Sequence, residues 1–139
     1  MSPVNCTNCQ APERGLWVSF GTHRQPKLTE TERGNWTSLQ LCEQCGALWC
    51  FVPYEPYASF PYLVRWPHDP ITWRRVHDRD AGLTLSRWHS HMVRQHWQQL
   101  PPDELQQVEW HRQRSYGRNP IDEPDIFQTE DFSHEHKVA

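Results

Sequence analysis

Two pairs of cysteines limit what this chain can fold into more than any other feature. Cys6-Thr-Asn-Cys9 and Cys42-Glu-Gln-Cys45 share C-x-x-C spacing. A two-residue gap lets both sulfurs of a pair turn toward one ion while backbone N–H groups aim at them. Gly46 follows the second pair, where a residue free to take positive φ helps the chain leave the knuckle. Together Cys6, Cys9, Cys42 and Cys45 supply the closed tetrahedral four-cysteine set of a structural zinc site. The 32 residues between the pairs exceed the commonest zinc spacing and predict an inserted loop.

Other uses of the cysteines fit less well. A disulfide framework belongs to an oxidising compartment. The opening Met-Ser-Pro-Val-Asn-Cys has neither a basic start nor an apolar stretch, so no secretion signal is expected and the expected location is cytoplasmic. A thioredoxin-type motif needs a C-x-x-C that opens a helix, whereas Gly46 leads into a strand-like run. In that run alternation puts Leu48, Cys50 and Val52 on one face, which predicts Cys50 as a buried, inert thiol. A catalytic pairing of Cys50 with a histidine is the alternative.

A staple suits the composition. The chain has 139 residues, 36% of them hydrophobic, and a mean hydropathy of -0.89. That is one domain with a thin core. No apolar run approaches the roughly 18 residues of a membrane helix, so no membrane association is expected. There are 8 Trp, more than a domain this small hides easily, and 12 Arg against 2 Lys. Trp and Arg are the residues enriched at binding hot spots. Residues 1–118 carry 13 basic and 11 acidic side chains, net +2, and residues 119–139 carry 1 and 6, net -5.

Around the cysteines, Gly15–Phe20 reads as a strand, 21–35 as a polar loop, Asn35–Leu41 as a strand and 46–52 as the strand leaving the second knuckle. This order makes 1–52 a ribbon. Residues 53–70 are dense in proline and aromatics, which prevents a helix and starves a sheet of donors. They read as an ordered loop, with Tyr62–Trp66 as an edge strand. Tyr54, Tyr57 and Trp66 are its candidate partner contacts. Ile71–Val76 reads as one more strand.

A helix is predicted over 84–100, capped by Thr84 or Ser86 and ended by Pro101-Pro102. Its apolar half carries Leu85, Trp88, His89, Met92, Val93, His96, Trp97 and Leu100. Its polar half carries Arg87, His91, Arg94, Gln95 and Gln98. His89 and His96 are read as hydrogen-bonded core residues. A second helix is predicted over 103–116. The tail 119–139 reads as acidic and flexible when alone. Its Asp122, Glu123, Asp125, Glu130 and Asp131 are candidate contacts for a basic partner. The expectation is therefore an α+β fold: a zinc-ribbon-like antiparallel sheet with two C-terminal helices, in one domain over 1–118, followed by the tail.

The knuckles also carry a resemblance. C-x-x-C followed by C-x-x-C-G-x-L-W, here Cys6, Cys9, Cys42, Cys45, Gly46, Leu48 and Trp49, looks like the zinc-ribbon proteins found among immunity partners of polymorphic toxins. It covers about a third of the chain. It implies a bacterial, cytoplasmic, non-catalytic protein that binds and blocks a toxin. By charge alone, the acidic tail would suit a toxin with a basic cleft, such as a nuclease. The same knuckles resemble rubredoxin, whose four-cysteine site carries iron, although rubredoxin is much smaller.

The alternative function is nucleic-acid binding through the ribbon with Arg74, Arg75, Arg87, Arg94, Arg112, Arg114 and Arg118. A near-neutral body speaks against it, because such binding rests on neutralising phosphates. Enzyme chemistry has little support. There is no phosphate-binding glycine loop, no nucleophile elbow and no paired-carboxylate constellation.

Overall fold

A computed structural model describes residues 6–18, 26–52 and 62–114. The predicted contacts Tyr54 and Tyr57, the rest of the 53–61 loop, and the acidic tail with Asp122, Glu123, Asp125, Glu130 and Asp131 lie outside the described residues. The described chain is α+β. Five antiparallel strands form one sheet: β1 (Leu16–Val18), β2 (Thr29–Gly34), β3 (Thr37–Leu41), β4 (Leu48–Val52) and β5 (Tyr62–Trp66). Their order across the sheet is β1-β5-β4-β3-β2. Three helices follow, α1 (Pro70–Asp80), α2 (Leu83–His96) and α3 (Pro102–Arg114), with a 3-10 turn at Trp97–Gln99 between the last two.

Side-chain alternation gives the sheet two apolar faces. Leu16, Val18, Leu39, Cys50, Val52, Tyr62, Val64 and Trp66 point to one face. Trp73, Val76, Leu85, Trp88, Val93, Trp97 and Val108 of the helical layer cover it. Trp17, Trp49 and Leu63 point to the other face, where they meet Cys6, Cys9 and Cys42. The helical layer is thus packed on one side of the sheet and the cysteine knuckles on the other.

Four elements depart from the sequence reading. Residues 29–34, read as loop, form β2. Thr-Glu-Thr-Glu-Arg-Gly lacks apolar alternation because β2 is an edge strand, paired only with β3, and charge is how edges are kept from pairing with other chains. Tyr62–Trp66 is a strand but not an edge. β5 lies between β1 and β4, so Trp66 is buried at 2% exposure. Its indole packs edge-on against Trp88 at 5.0 Å and donates to the Asp69 carbonyl at 3.0 Å. As a partner contact, Trp66 is therefore corrected to a core residue.

Residues 71–76 are helical, not a strand. The Asp69 carboxylate accepts from Thr72 N–H at 2.7 Å and Pro70 occupies the first turn. Asp then Pro is a helix start, because the proline's missing N–H would have had no partner there. It outweighs the β-branched and aromatic content of Ile-Thr-Trp-Arg-Arg-Val, and Thr72, Trp73, Val76 and His77 form the buried face. There are accordingly three helices rather than two. Neither Thr84 nor Ser86 caps α2. Ala81 and Gly82, at φ 58° and 91°, turn the chain between α1 and α2, and Thr84 N–H donates back to the Asp80 carboxylate at 3.1 Å.

Six of the 8 Trp are buried: Trp17, Trp49, Trp66, Trp73, Trp88 and Trp97. Tryptophan supplies the bulk that aliphatic residues do not. Trp36 and Trp110 remain outside, at 70% and 52% exposure. Trp36 stands at the tip of the β2–β3 hairpin with φ 57°. The tip is held against α1. Asn35 N–H donates to His77 Nε2 at 2.8 Å, Arg74 reaches Glu32 and the Arg33 carbonyl, and a Cβ on Gly34 would stand 2.5 Å from the His77 ring. His77→Ala removes that acceptor and the stack of His77 on Trp73. A loss of about 1–3 kcal/mol is expected, with faster amide exchange at Asn35.

His89 is fully buried, as expected of a core histidine. Burial pushes its pKa down to about 4, against the pull of the Tyr62 and Cys50 carbonyls. His96 is only half-buried and bonds to Gln99. His91, assigned to the polar half of α2, is buried. A neutral His89 has a sign in acid. The unfolded chain binds its proton below about 6.5 and the folded chain only below about 4, so stability falls as pH drops through that window. The loss is on the order of 3 kcal/mol. His89→Gln should flatten that part of a stability-versus-pH curve.

Candidate metal centre

Each knuckle is a tight turn with the same hydrogen bonds. Cys6 N–H donates to the Ala11 carbonyl at 2.9 Å and Gln10 N–H to the Cys6 carbonyl at 2.8 Å. Cys42 N–H donates to the Ala47 carbonyl at 2.8 Å and Gly46 N–H to the Cys42 carbonyl at 2.7 Å. The first knuckle leads into β1. The second is the turn between β3 and β4, so the sheet itself holds one half of the site. Gly46 has φ 84°, as its place after the pair predicts, and Gln10 takes φ 64° at the equivalent point of the first knuckle. A side chain in that region is disfavoured. Gln10→Gly is therefore expected to raise stability by roughly 0.5 kcal/mol or leave it unchanged, the gain being trimmed by the freer unfolded chain. A thermal melt reads this directly.

The four predicted ligands come together. The ligand atoms of Cys6, Cys9, Cys42 and Cys45 all lie within 4.8 Å of one another. Across the knuckles, Cys6 Sγ is 3.7 Å from Cys42 Sγ and Cys9 Sγ is 3.5 Å from Cys45 Sγ. These distances are too long for a disulfide, where sulfurs stand about 2.05 Å apart. They suit four sulfurs each about 2.3 Å from one ion, which stand about 3.8 Å from each other. The four cysteines can hold a metal ion.

The surroundings favour anionic sulfur. The backbone N–H groups of Cys9 and Asn8 point at Cys6 and hold its pKa low despite burial. At Cys42 burial works upward but is outweighed. The Asn8 amide, 3.3 Å from Sγ, and the N–H groups of Cys45 and Gln44 bring the thiol down to about 6. Burial raises Cys9 to about 12 and raises Cys45 also, against N–H groups of Ala11 and Ala47. Without a cation, the surroundings pull Cys6 and Cys42 toward the thiolate and push Cys9 and Cys45 toward the thiol. A divalent ion supplies the charge that lets all four ionise. Among the described residues, the buried Trp49 indole N–H has no partner at hydrogen-bond geometry, yet it acts on Cys9 to lower its pKa. An anionic Cys9 sulfur is the acceptor it lacks.

Several supporting residues carry no mark in the sequence reading. Asn8 binds Cys42 and also pairs with the Lys27 backbone, donating to its carbonyl at 2.7 Å and accepting its N–H at 2.9 Å. It thereby ties the first knuckle to the segment just before β2. Trp17 donates to the Cys9 carbonyl at 2.9 Å. The Arg14 guanidinium lies 3.6 Å over the Trp17 ring and pairs with Glu104 of α3. Asn8, inside the first C-x-x-C, was open to suspicion as a donor to sulfur. Nothing local marks Arg14 or Glu104, which are 90 residues apart.

Cys50 is buried, receives the Trp73 indole N–H at 3.4 Å, and has its pKa pushed up to about 11 by burial. It is the inert thiol expected and faces the helical layer, away from the knuckles. No helix among the described residues is long and apolar enough to cross a membrane. No protein-family model matches the chain, and no curated protein or solved structure matches it.

Proposed function

We propose that this chain is a zinc-stapled, non-catalytic module that binds another protein. The observation that carries the reading is the closed set of four sulfurs at tetrahedral separations. A catalytic zinc keeps one position open for water or substrate, whereas a set of four protein thiolates leaves none. Zinc is proposed over iron because a closed set of four cysteines from two C-x-x-C pairs is a standard structural zinc site. Iron would colour the protein and zinc would not.

The interaction role rests on Trp36 and Trp110. A domain that buries six indoles and leaves two in water, one on a hairpin tip clamped to a helix, offers preorganised contact area. A toxin is the proposed partner, by the likeness of the knuckles to immunity-type ribbons, in a bacterial cytoplasmic setting. The nucleic-acid reading has less support. Arg74 is held by Glu32 and Asp78 and Arg112 by Glu109, which neutralises part of the basic surface that phosphates would need.

The test is native mass spectrometry of the full chain, alone and after capture of partners from the encoding organism. The reading expects one zinc per chain and a stoichiometric protein that Trp36→Ala weakens at least tenfold. Bound nucleic acid released by salt would replace it with the nucleic-acid reading. A partner indifferent to both Trp36→Ala and Trp110→Ala would overturn the assigned surface.

A further inference from the structure

The four cysteines are not equally protected. Cys6, Cys9 and Cys42 are buried, and Cys45 is exposed. Cys45 lines an open cleft of about 330 Å³ together with Pro12, Gly46, Arg65, Trp66 and His68. A Cβ added to Gly46 would meet no atom within 4 Å, so the knuckle has open space on this side. Directly behind Cys45 stands Cys9, with its sulfur 3.5 Å away and itself buried.

We infer that Cys45 is the point at which the centre is oxidised by peroxides, and that the product is a Cys9–Cys45 disulfide that dismantles the metal site. This deepens the zinc reading above and rests on it. With an ion bound, all four sulfurs are thiolates, so access rather than ionisation ranks them. A small peroxide can approach Cys45 through the cleft, whereas Cys9 and Cys42 expose no surface and Cys6 only 9%. The Cys45 thiolate attacks the O–O bond, forming the sulfenic acid and releasing hydroxide. The Cys9 thiolate then attacks the Cys45 sulfur and displaces a second hydroxide as the S–S bond forms. Two thiolates lose two electrons in all, and one peroxide is reduced to two hydroxides.

The sulfurs need to close by about 1.5 Å to reach disulfide length. Cys6 and Cys42 are then the only remaining thiolates of the set, too few for a tetrahedral site. The fifth cysteine cannot compete. Cys50 is buried on the opposite face of the sheet between Trp73 and Thr37.

The test uses the full metal-loaded chain and hydrogen peroxide at low molar excess. Zinc release to a chromophoric chelator is followed, and disulfides are mapped by mass spectrometry after quenching. The inference expects Cys9–Cys45 as the first disulfide, formed in step with zinc release, with Cys50 still reduced. Cys45→His keeps a ligand set of three cysteines and one histidine, a kind known to hold zinc. It should slow peroxide-driven release at least tenfold, while Cys50→Ala should not change it. A first disulfide between Cys6 and Cys42, or release at the wild-type rate from Cys45→His, would overturn the inference. Native mass before oxidation separates the two readings. A chain with no metal overturns the zinc reading. Limited iodoacetamide labelling ranks the thiols independently, and any cysteine reacting ahead of Cys45 overturns the present one.

Discussion

Cys42→Ser is expected to abolish the cooperative fold. Structural zinc in small domains contributes roughly 10–16 kcal/mol of apparent binding energy to folding. A domain of this size has a total stability of about 5–15 kcal/mol, so losing tight binding can consume all of it. Cys42 is the most consequential of the four to remove. Its sulfur takes the Asn8 amide and backbone N–H groups of Gln44 and Cys45, and its knuckle is the turn joining β3 to β4 in the sheet. Circular dichroism should show no unfolding transition in the variant, and a strong chelator should melt the wild type in the same way. Acid should release the ion too, because protons compete for the sulfurs as pH falls. If Cys42→Ser melts at the wild-type temperature, the centre is not structural zinc.

Glu104→Ala is expected to give the largest loss away from the cysteines. The side chains of Arg14 and Glu104 are only 9% and 5% exposed. Arg14 also donates to the Leu16 carbonyl at 2.8 Å and covers the Trp17 ring. Removing the carboxylate leaves a guanidinium enclosed between the first knuckle and α3 with its charge uncompensated. Breaking a buried pair in this way costs about 3–5 kcal/mol, a fall in melting temperature on the order of 15 °C for a domain of this size. The double variant Arg14→Met, Glu104→Leu should recover most of the loss, because an apolar pair of similar volume removes the stranded charge. A cost below roughly 1 kcal/mol for Glu104→Ala would mean that water reaches the pair, as at an exposed bridge.

The knuckles, the strands on either side of the second one, and α2 are legible in the sequence because their signals are local. C-x-x-C spacing is set within four residues, strand alternation shows in Leu48-Trp-Cys-Phe-Val52, and helical spacing shows in Leu85, Trp88, His89 and Val93. α1 reads wrongly as a strand although its signal is present. Asp69-Pro70 is a helix start, but five prolines over 53–70 make that segment read as uniform loop. β2 cannot be found by apolar pattern, since its six residues Thr29–Gly34 contain no large apolar side chain. Only pairing with β3 makes that stretch a strand.

By itself the sequence determined the α+β class and the four cysteines that can hold a metal ion. Each follows from short-range spacing or from composition. The tertiary structure alone decided that Trp66 is buried while Trp36 and Trp110 are not. It also joined Arg14 to Glu104 and left Cys45 at a cleft while its three partners are enclosed. These outcomes depend on which strand lies beside which and on which helix covers which face. Strand order sets neighbours between residues far apart in the chain, and no local spacing encodes it.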